Sequence, residues 1–131
     1  MKDICFILDS EALSRVALRD RTMTAILTKA HQAGSRVMTS PMTLVEAYHG
    51  KVRPAEWNWA MSRLVVEPVT KEVADEAIRL LLDTGLHGHK YAIDAVLAVL
   101  ANRQGGRTVV FTSDADDLTK LCAPRVQIRA L

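Results

Sequence analysis

The stretch "TVVFTSDADDL", residues 108–118, begins as an apolar strand and ends with three aspartates in four positions. Like charges repel and a nearby core makes carboxylates costly to desolvate, so the placement of Asp114, Asp116 and Asp117 needs an explanation. One explanation is local: Asp114 caps a short helix over "ADDLTKL", and the other two stabilise its first turn. The alternative is that other groups reach the same strand end.

The composition describes one ordinary domain, residues 1–131, with 49% hydrophobic residues and one core. The formal net charge of +2 is too small to identify a nucleic-acid-binding protein by charge alone. Cys5 and Cys122 lie far apart in sequence, which predicts buried thiols rather than a disulfide or a metal-ligand pair. No apolar stretch reaches the ~18 residues of a membrane span, and "ICFIL" is too short for a signal peptide. We therefore expect a cytoplasmic protein without membrane contact.

Short apolar runs alternate with helical patterns along the chain. The runs "ICFIL", "RVMT", "VVEPV", "RTVVFT" and "RVQIRAL" predict strands. The patterns between them predict one long helix over 12–34, a helix capped by Ser40, a helix capped by Thr70, and a very apolar helix that follows a "GLHGHK" loop. This alternation predicts an α/β fold, a three-layer α/β/α sandwich with a mostly parallel central sheet of about five strands.

Three acidic residues follow predicted strands. Asp9 comes directly after the first strand, Glu46 lies in the helix after the second, and Asp114 comes directly after the fourth. Because the functional crevice of a parallel sheet lies at the carboxyl ends of its strands, these acids can meet at one edge. Each also has a simpler explanation, since Asp9 can cap a helix and Glu46 can lie on a solvated helix face.

Asp94 is the only polar residue between positions 91 and 101. We expect it in the first turn of a helix that is largely surrounded by protein, directed at the same crevice. The alternative is that it pairs with Lys90 or complements the helix dipole, which would contribute at most about 1 kcal/mol. A carboxylate in such a helix requires a partner. Because further acids are expected at the crevice, a partner that all of these acids share is favoured.

Four carboxylates within several ångströms repel one another unless positive charge lies between them. A divalent cation supplies that charge, and Mg²⁺ favours hard oxygen ligands and also binds phosphates. The chain has no Cys and His set suited to zinc, and the H-x-H pair His87 and His89 lies in a glycine-rich loop where exposure is expected. The pattern therefore favours a magnesium-type site.

The stretches "FILDSEALS", "TSPMTLVEAYHG", "HKYAIDAVLAVLA" and "TVVFTSDADDL" in this order resemble the PIN-domain nucleases, and among them the VapC-type toxins of bacterial toxin–antitoxin pairs. The resemblance covers essentially the whole chain and implies a parallel sheet between helices. It also implies that the metal-binding acids are Asp9, Glu46, Asp94 and Asp114, with Asp117 as a further acid. Asp116 competes with Asp117 for that last role. Glu11 stands where the family more often has a small or polar residue, so it either adds an acid or points away.

The resemblance further implies an Mg²⁺- or Mn²⁺-dependent endoribonuclease that hydrolyses RNA phosphodiester bonds, with RNA, a VapB-type antitoxin and a second copy of the chain as partners. Because water rather than a ribose hydroxyl attacks, the products would carry a 5′-phosphate and a 3′-hydroxyl. Two alternatives remain: a non-catalytic PIN-like scaffold that binds RNA or a protein, and a PIN nuclease of RNA processing without an antitoxin. A receiver domain is disfavoured, because its acceptor aspartate and late lysine are missing at the strand ends.

An acid-lined cleft that holds a polyanion needs cations nearby. Five are candidates for contacts to an RNA backbone: Arg15, Arg19, Arg21, Lys51 and Arg53. Solvated helix faces explain them equally well. Trp57 and Trp59 are expected to pack rather than to stack on bases, since they lie in a helix of a small domain.

Overall fold

The computed structural model describes residues 4–131 and contains within them one five-stranded sheet. Its strands are β1 (Ile4–Leu8), β2 (Arg36–Thr39), β3 (Val65–Val66), β4 (Arg107–Thr112) and β5 (Gln127–Ala130). Their order across the sheet is β3-β2-β1-β4-β5, and each neighbouring pair is parallel. The predicted sandwich is confirmed, with a sheet that is parallel throughout rather than mostly parallel.

Helices cover both faces of the sheet. They are α1 (Ser10–Ala17), α2 (Arg21–Gln32), α3 (Pro41–Ala47), α4 (Pro54–Met61), α5 (Lys71–Thr84), α6 (Gly88–Arg103) and α7 (Ala115–Leu121). Side chains of α1, α2 and α4 form one core cluster with the sheet, and side chains of α5, α6 and α7 form the other. None of the helices in residues 4–131 has both the length and the apolar character that crossing a membrane requires.

The central strand β1 supplies both cores by alternation of its side chains. Ile4 and Leu8 belong to the cluster under α1 and α2, whereas Cys5 and Ile7 belong to the cluster under α6. Residues 95–101 of α6 are all buried. Burial of each large aliphatic side chain contributes about 1.5–3 kcal/mol, so β1 and α6 form the most strongly stabilised part of the fold.

The chain between β1 and β2 forms two helices, so the expectation of one long helix over 12–34 is wrong. α1 ends at Ala17, and Arg19 adopts a left-handed conformation with φ 64°. A new helix then starts at once, because Asp20 Oδ2 accepts a hydrogen bond from the Met23 N–H at 2.9 Å. That cap satisfies one of the N–H groups that the start of a helix leaves without a partner.

The helix that carries Asp94 begins earlier than expected. α6 starts at Gly88 with His87 as its N-cap residue, so only the first part of "GLHGHK" is a loop. Asp94 therefore lies in the second turn of α6 rather than the first. Because the influence of a helix dipole falls off within one turn, complementing the dipole is not a sufficient reason for this carboxylate.

The predicted starts of α3 and α5 are confirmed. Ser40 Oγ accepts from the Thr43 N–H at 3.1 Å, with proline at the first helical position, and Thr70 Oγ1 accepts from the Val73 N–H at 3.2 Å. The Ser40 cap fixes where α3 leaves the sheet, and therefore where Glu46 lies.

Two leucine substitutions test this division between core and surface. Leu97 is 1% exposed in α6, whereas Leu82 is 77% exposed in α5. We expect Leu97→Ala to lower the free energy of unfolding by about 2–5 kcal/mol, because it leaves a cavity in the core. Leu82→Ala should change it by no more than about 0.5 kcal/mol. Equal losses in urea titrations of the two variants would contradict the packing of α6.

Candidate metal centre

The carboxyl ends of three neighbouring strands form one edge of the sheet. The strand order reverses at β1, which has β2 on one side and β4 on the other. In open parallel sheets, such a switch point leaves a crevice beyond the strand ends. Asp9 follows β1, α3 with Glu46 follows β2, and Asp114 follows β4, as predicted from the sequence.

Both carboxylate oxygens of Asp9 are held by backbone N–H groups. Oδ1 accepts from the Ala12 N–H at 2.8 Å, which caps α1, and Oδ2 accepts from the Ser113 N–H at 2.9 Å. The side chain is buried, with 3% exposure. Capping is therefore only half of its role, because Asp9 also ties the end of β1 to the segment after β4. Each oxygen retains a further lone pair, so a ligating role stays open to it.

Asp94 has the most perturbed environment of the five acids. Its pKa is raised from 3.8 to about 7, first by burial and then by the negative charges of Asp114, Asp9, Glu46 and Asp117, in that order. The alternative pair with Lys90 is not formed within residues 4–131, where Lys90 Nζ instead lies 5.2 Å from the centre of the Tyr91 ring. Among residues 4–131, the charges that shift the pKa of this half-buried carboxylate are thus all negative.

The aspartates after β4 have distinct environments. Asp114 occupies the N-cap position of α7, but its side chain makes no capping hydrogen bond; its N–H donates to Thr112 Oγ1 at 2.8 Å. The local explanation of Asp114 as a helix cap therefore fails. Asp117 is half-buried and raises the pKa of Asp94, whereas the exposed Asp116 is not among the charges that do so. Electrostatics thus favour Asp117 over Asp116, a choice that helix phase alone did not decide.

Glu46 and Glu11 are both exposed beside this edge, but they differ in their partners. Glu46 contributes to the raised pKa of Asp94. Glu11 lies one turn from Arg15 on α1, with Arg15 Nε 3.3 Å from Glu11 Oε1. Glu11 therefore pairs with a cation on its own helix and is not among the charges acting on Asp94.

Buried hydroxyl groups support the edge, and the sequence analysis missed them. Thr39 and Thr112 are fully buried at the ends of β2 and β4. Thr39 Oγ1 donates to the Leu8 carbonyl at 2.8 Å, and Thr112 Oγ1 accepts from the Asp114 N–H. Both strands end in Thr-Ser, "VMTS" and "VFTS", and this repeated pair was the available signal. The hydroxyls fix the backbone from which the acids project.

The cysteines are free and buried, as predicted. Burial and the neighbouring charge of Asp94 raise the pKa of the Cys122 thiol to about 12. Burial likewise raises the pKa of Cys5. Both stay protonated at neutral pH, so neither supplies a thiolate nucleophile or ligand.

The histidine pair and the tryptophans lie outside the acid cluster. His87 and His89 are exposed at the start of α6, as expected. Trp59 packs against the core cluster under α1, and Trp57 meets the Tyr48 ring edge-on at 4.8 Å between ring centres. Packing thus describes both tryptophans.

Over residues 4–131, no three Asp, Glu, His or Cys side chains converge closely enough to form a metal-ligand set as they stand. The pKa of Asp94 nevertheless responds to four other carboxylates, so these acids lie within electrostatic range without touching. This spacing is expected, because carboxylates that lack a shared cation repel one another and stay apart. The donors are all hard oxygen atoms, which fits Mg²⁺ or Mn²⁺.

Comparison with known proteins adds a family and a fold. A family model described as the PIN domain matches residues 6–123. Among solved structures, VapBC2 from Rickettsia felis, bound to a DNA fragment from its promoter, has a TM-score of 0.67 at 11% identity and covers 97% of this chain and 98% of that one. DNA-bound VapBC from Salmonella typhimurium has a TM-score of 0.64 at 19% identity, with the same coverage. No curated protein matches the chain significantly.

The raised pKa of Asp94 predicts how a substitution changes stability. In the metal-free protein, Asp94 favours the fold at low pH, and this contribution is lost as pH rises from its ordinary value of 3.8 through about 7. We expect Asp94→Asn to stabilise the metal-free protein above pH 7 by roughly 1–2 kcal/mol, after solvent screening is allowed for. Thermal melts in chelator across pH measure this. If the gain in stability of Asp94→Asn over the wild type does not increase between pH 3.8 and about pH 7, the raised pKa is contradicted.

Asp9 provides the contrasting variant. Crowding alone predicts that Asp9→Asn also stabilises the metal-free protein, but its two hydrogen bonds reverse that expectation. An asparagine has one acceptor oxygen and cannot accept from both Ala12 and Ser113. We expect Asp9→Asn to lower the free energy of unfolding by about 1–3 kcal/mol. In the same thermal melts, we expect Asp94→Asn to raise the stability of the metal-free protein and Asp9→Asn to lower it.

Proposed function

Because the chain belongs to the PIN-domain family, we propose that it is a metal-dependent endoribonuclease that hydrolyses RNA phosphodiester bonds. One observation carries the proposal: a half-buried Asp94 whose pKa is raised to about 7 amid the charges of four further carboxylates. A protein gains nothing in stability from such crowding, and strongly perturbed acids cluster at functional sites. The acids lie where a parallel sheet offers a crevice for a substrate.

The four acids Asp9, Glu46, Asp94 and Asp114 would hold Mg²⁺ or Mn²⁺, with Asp117 outside the immediate ligand set. When bound, such an ion lowers the pKa of water and stabilises negative charge on a phosphoryl group. The chain itself supplies the geometry, since Asp9 is fixed by two backbone hydrogen bonds and Asp94 lies directly before the buried residues 95–101 of α6. These fixed groups orient the scissile phosphate without reorganisation during the reaction.

Glu46 is suited to move the proton of the attacking water. It is exposed on α3 and lies within electrostatic range of Asp94, so it can meet solvent and substrate together. A carboxylate in this position accepts the proton as a general base, or else joins a second ion. Attack by water leaves a terminal rather than a cyclic phosphate, and in the proposed reaction the 3′ oxygen leaves, so the products carry a 5′-phosphate and a 3′-hydroxyl. As a general base, the exposed Glu46 would take this proton, because the buried Asp9 is already held by two backbone N–H groups.

We further propose that the nuclease is the toxin of a type II toxin–antitoxin pair and acts in the cytoplasm. The support is a fold shared with VapBC structures along nearly the whole chain. An arginine or lysine from a VapB-type antitoxin would enter the crevice, pair with two or more of the acids, and compete with the metal. Exposed apolar side chains such as Ile78 and Leu82 on α5 offer a surface for a homodimer.

The proposed chemistry is tested by cleavage of single-stranded RNA. Purified protein should cut it with Mg²⁺ or Mn²⁺, and Asp94→Asn should slow cleavage by at least about 100-fold, as loss of an acid–base or ligand group does. Asp116→Asn makes the same substitution on α7, at an aspartate that does not act on the pKa of Asp94, and should keep nearly the wild-type rate. Full activity in excess chelator, or products that end in a cyclic phosphate, would rule out the mechanism.

The proposed antitoxin is tested by co-expression with a small reading frame directly upstream. We expect a stable complex whose nuclease activity is suppressed and is recovered as Mg²⁺ is raised, because the basic side chain and the metal share the same acids. Replacing that basic residue with alanine should release the inhibition. If the chain expressed alone causes no growth defect and no complex forms, a PIN nuclease without an antitoxin becomes the better description.

A further inference from the structure

A groove runs from the acid cluster along one side of α1. We name this the α1 groove: Ser10, Ser14 and Leu18 form one wall, and Glu46, His49 and Lys51 form the other. Its volume is about 430 Å³. A second depression of about 290 Å³ continues it, since Leu18 and Lys51 line both and Arg19, Arg53 and Glu56 line its far end. The two depressions thus form one continuous path.

The path follows the helix axis. Positions 10, 14 and 18 recur every four residues and therefore lie on one face of α1. α1 starts directly after its cap residue Asp9 and has eight residues, so this wall is roughly 12 Å long. The groove therefore leads from the acid cluster to the end of α1, where the chain turns at Arg19.

The charge changes sign along the groove. Glu46 and Glu11 line the first depression. Lys51 lies where the two depressions meet, and the far end carries Arg19 and Arg53 against the single carboxylate of Glu56. Arg53 Nε lies 3.4 Å from Glu56 Oε2, but within residues 4–131 neither Arg19 nor Lys51 has an ion pair. Lys51, between the two depressions, and Arg19, at the far end, are therefore available to an external anion.

His49 adds a hydrogen-bond donor halfway along the groove. Its Nδ1 accepts from the Lys51 N–H at 3.2 Å, which assigns the proton of the neutral ring to Nε2. Nε2 lies 3.5 Å from Ser14 Oγ on the opposite wall. The two walls are therefore bridged at this point, and because both groups are at the surface they can donate to a phosphate or ribose oxygen lying over them.

Arg19 has a backbone conformation that glycine adopts more readily. Its φ of 64° is one that glycine adopts freely and that costs other residues energy. The guanidinium carbon lies 5.9 Å from the centre of the Trp59 ring, a distance at which the cation–π attraction is weak. Folding alone would favour glycine here, whereas a polyanion in the groove favours arginine.

We propose that the α1 groove holds the backbone of single-stranded RNA as it leaves the acid cluster, with phosphates at Lys51 and Arg19 and a sugar or phosphate oxygen at His49. This rests on the proposed nuclease function and specifies where its substrate lies. A single strand is favoured because each depression has a volume typical of a small-molecule site, which suits one or two nucleotides rather than a duplex.

The test measures binding separately from cleavage, using full-length protein carrying Asp94→Asn. A fluorescein-labelled single-stranded RNA is titrated by anisotropy over a series of KCl concentrations. Arg19→Gly and Lys51→Ala should each weaken binding several-fold and lower the slope of log Kd against log salt by about 0.7, the value for one lost phosphate contact. Arg129→Ala, which removes an equal exposed charge from β5, should leave both unchanged.

Stability controls separate binding from folding, because Arg19→Gly relieves a left-handed backbone and should not lower the melting temperature. The proposal would be overturned if the slope of log Kd against log salt stayed unchanged in both Arg19→Gly and Lys51→Ala. It would also be overturned if this slope fell equally in Arg129→Ala. So would binding of the antitoxin segment alone, with no binding of RNA. If the slopes change as expected but protein with Asp94 intact cuts no RNA with Mg²⁺ or Mn²⁺, the nuclease function fails while the RNA path stands.

Discussion

The Asp9 carboxylate makes two hydrogen bonds, which join the start of α1 to the segment after β4. The geometry of this edge of the sheet depends on both bonds. One oxygen holds the start of α1, and the other holds the backbone after β4. The α1 groove takes its direction from the first contact, and the position of Asp114 follows from the second. A single buried side chain therefore sets the geometry of both the acid cluster and the surface beside it. This explains why an aspartate serves here and an asparagine, with one acceptor oxygen, would not.

Asp94 differs from Asp9, because the fold tolerates its carboxylate but does not require it. Its helix is held by apolar packing from residue 95 onward, and this packing carries the carboxylate into a half-buried position among like charges. The strong packing of residues 95–101 thus holds Asp94 in an unfavourable electrostatic position near the exposed start of α6. Proteins keep such local conflicts mainly at functional sites, where the conflict is resolved by a bound partner.

Most of the fold could be predicted from the sequence because its signals are local and strong: apolar runs for β1 and β4, and caps at Ser40 and Thr70. The break at Arg19 could not, since a continuous helical pattern crosses it and only the cap of Asp20 marks the restart. At the cluster, Asp9, Glu46, Asp94 and Asp114 were predicted from strand ends and resemblance. The distinction between Asp116 and Asp117 depends on how α7 packs against the sheet edge, which no local pattern encodes.

The bond between Asp9 and Ser113 spans 104 positions of the chain, and this separation has a consequence for translation. At roughly 5–20 residues per second, the ribosome makes Asp9 some 5–20 seconds before its partner exists. Parallel pairing of β1 with β4 also needs a long loop to close, which makes it a late step in folding. A nascent fragment can form neither the edge nor the cluster. The chain therefore acquires its acid cluster only after the segment that follows β4 has been synthesised.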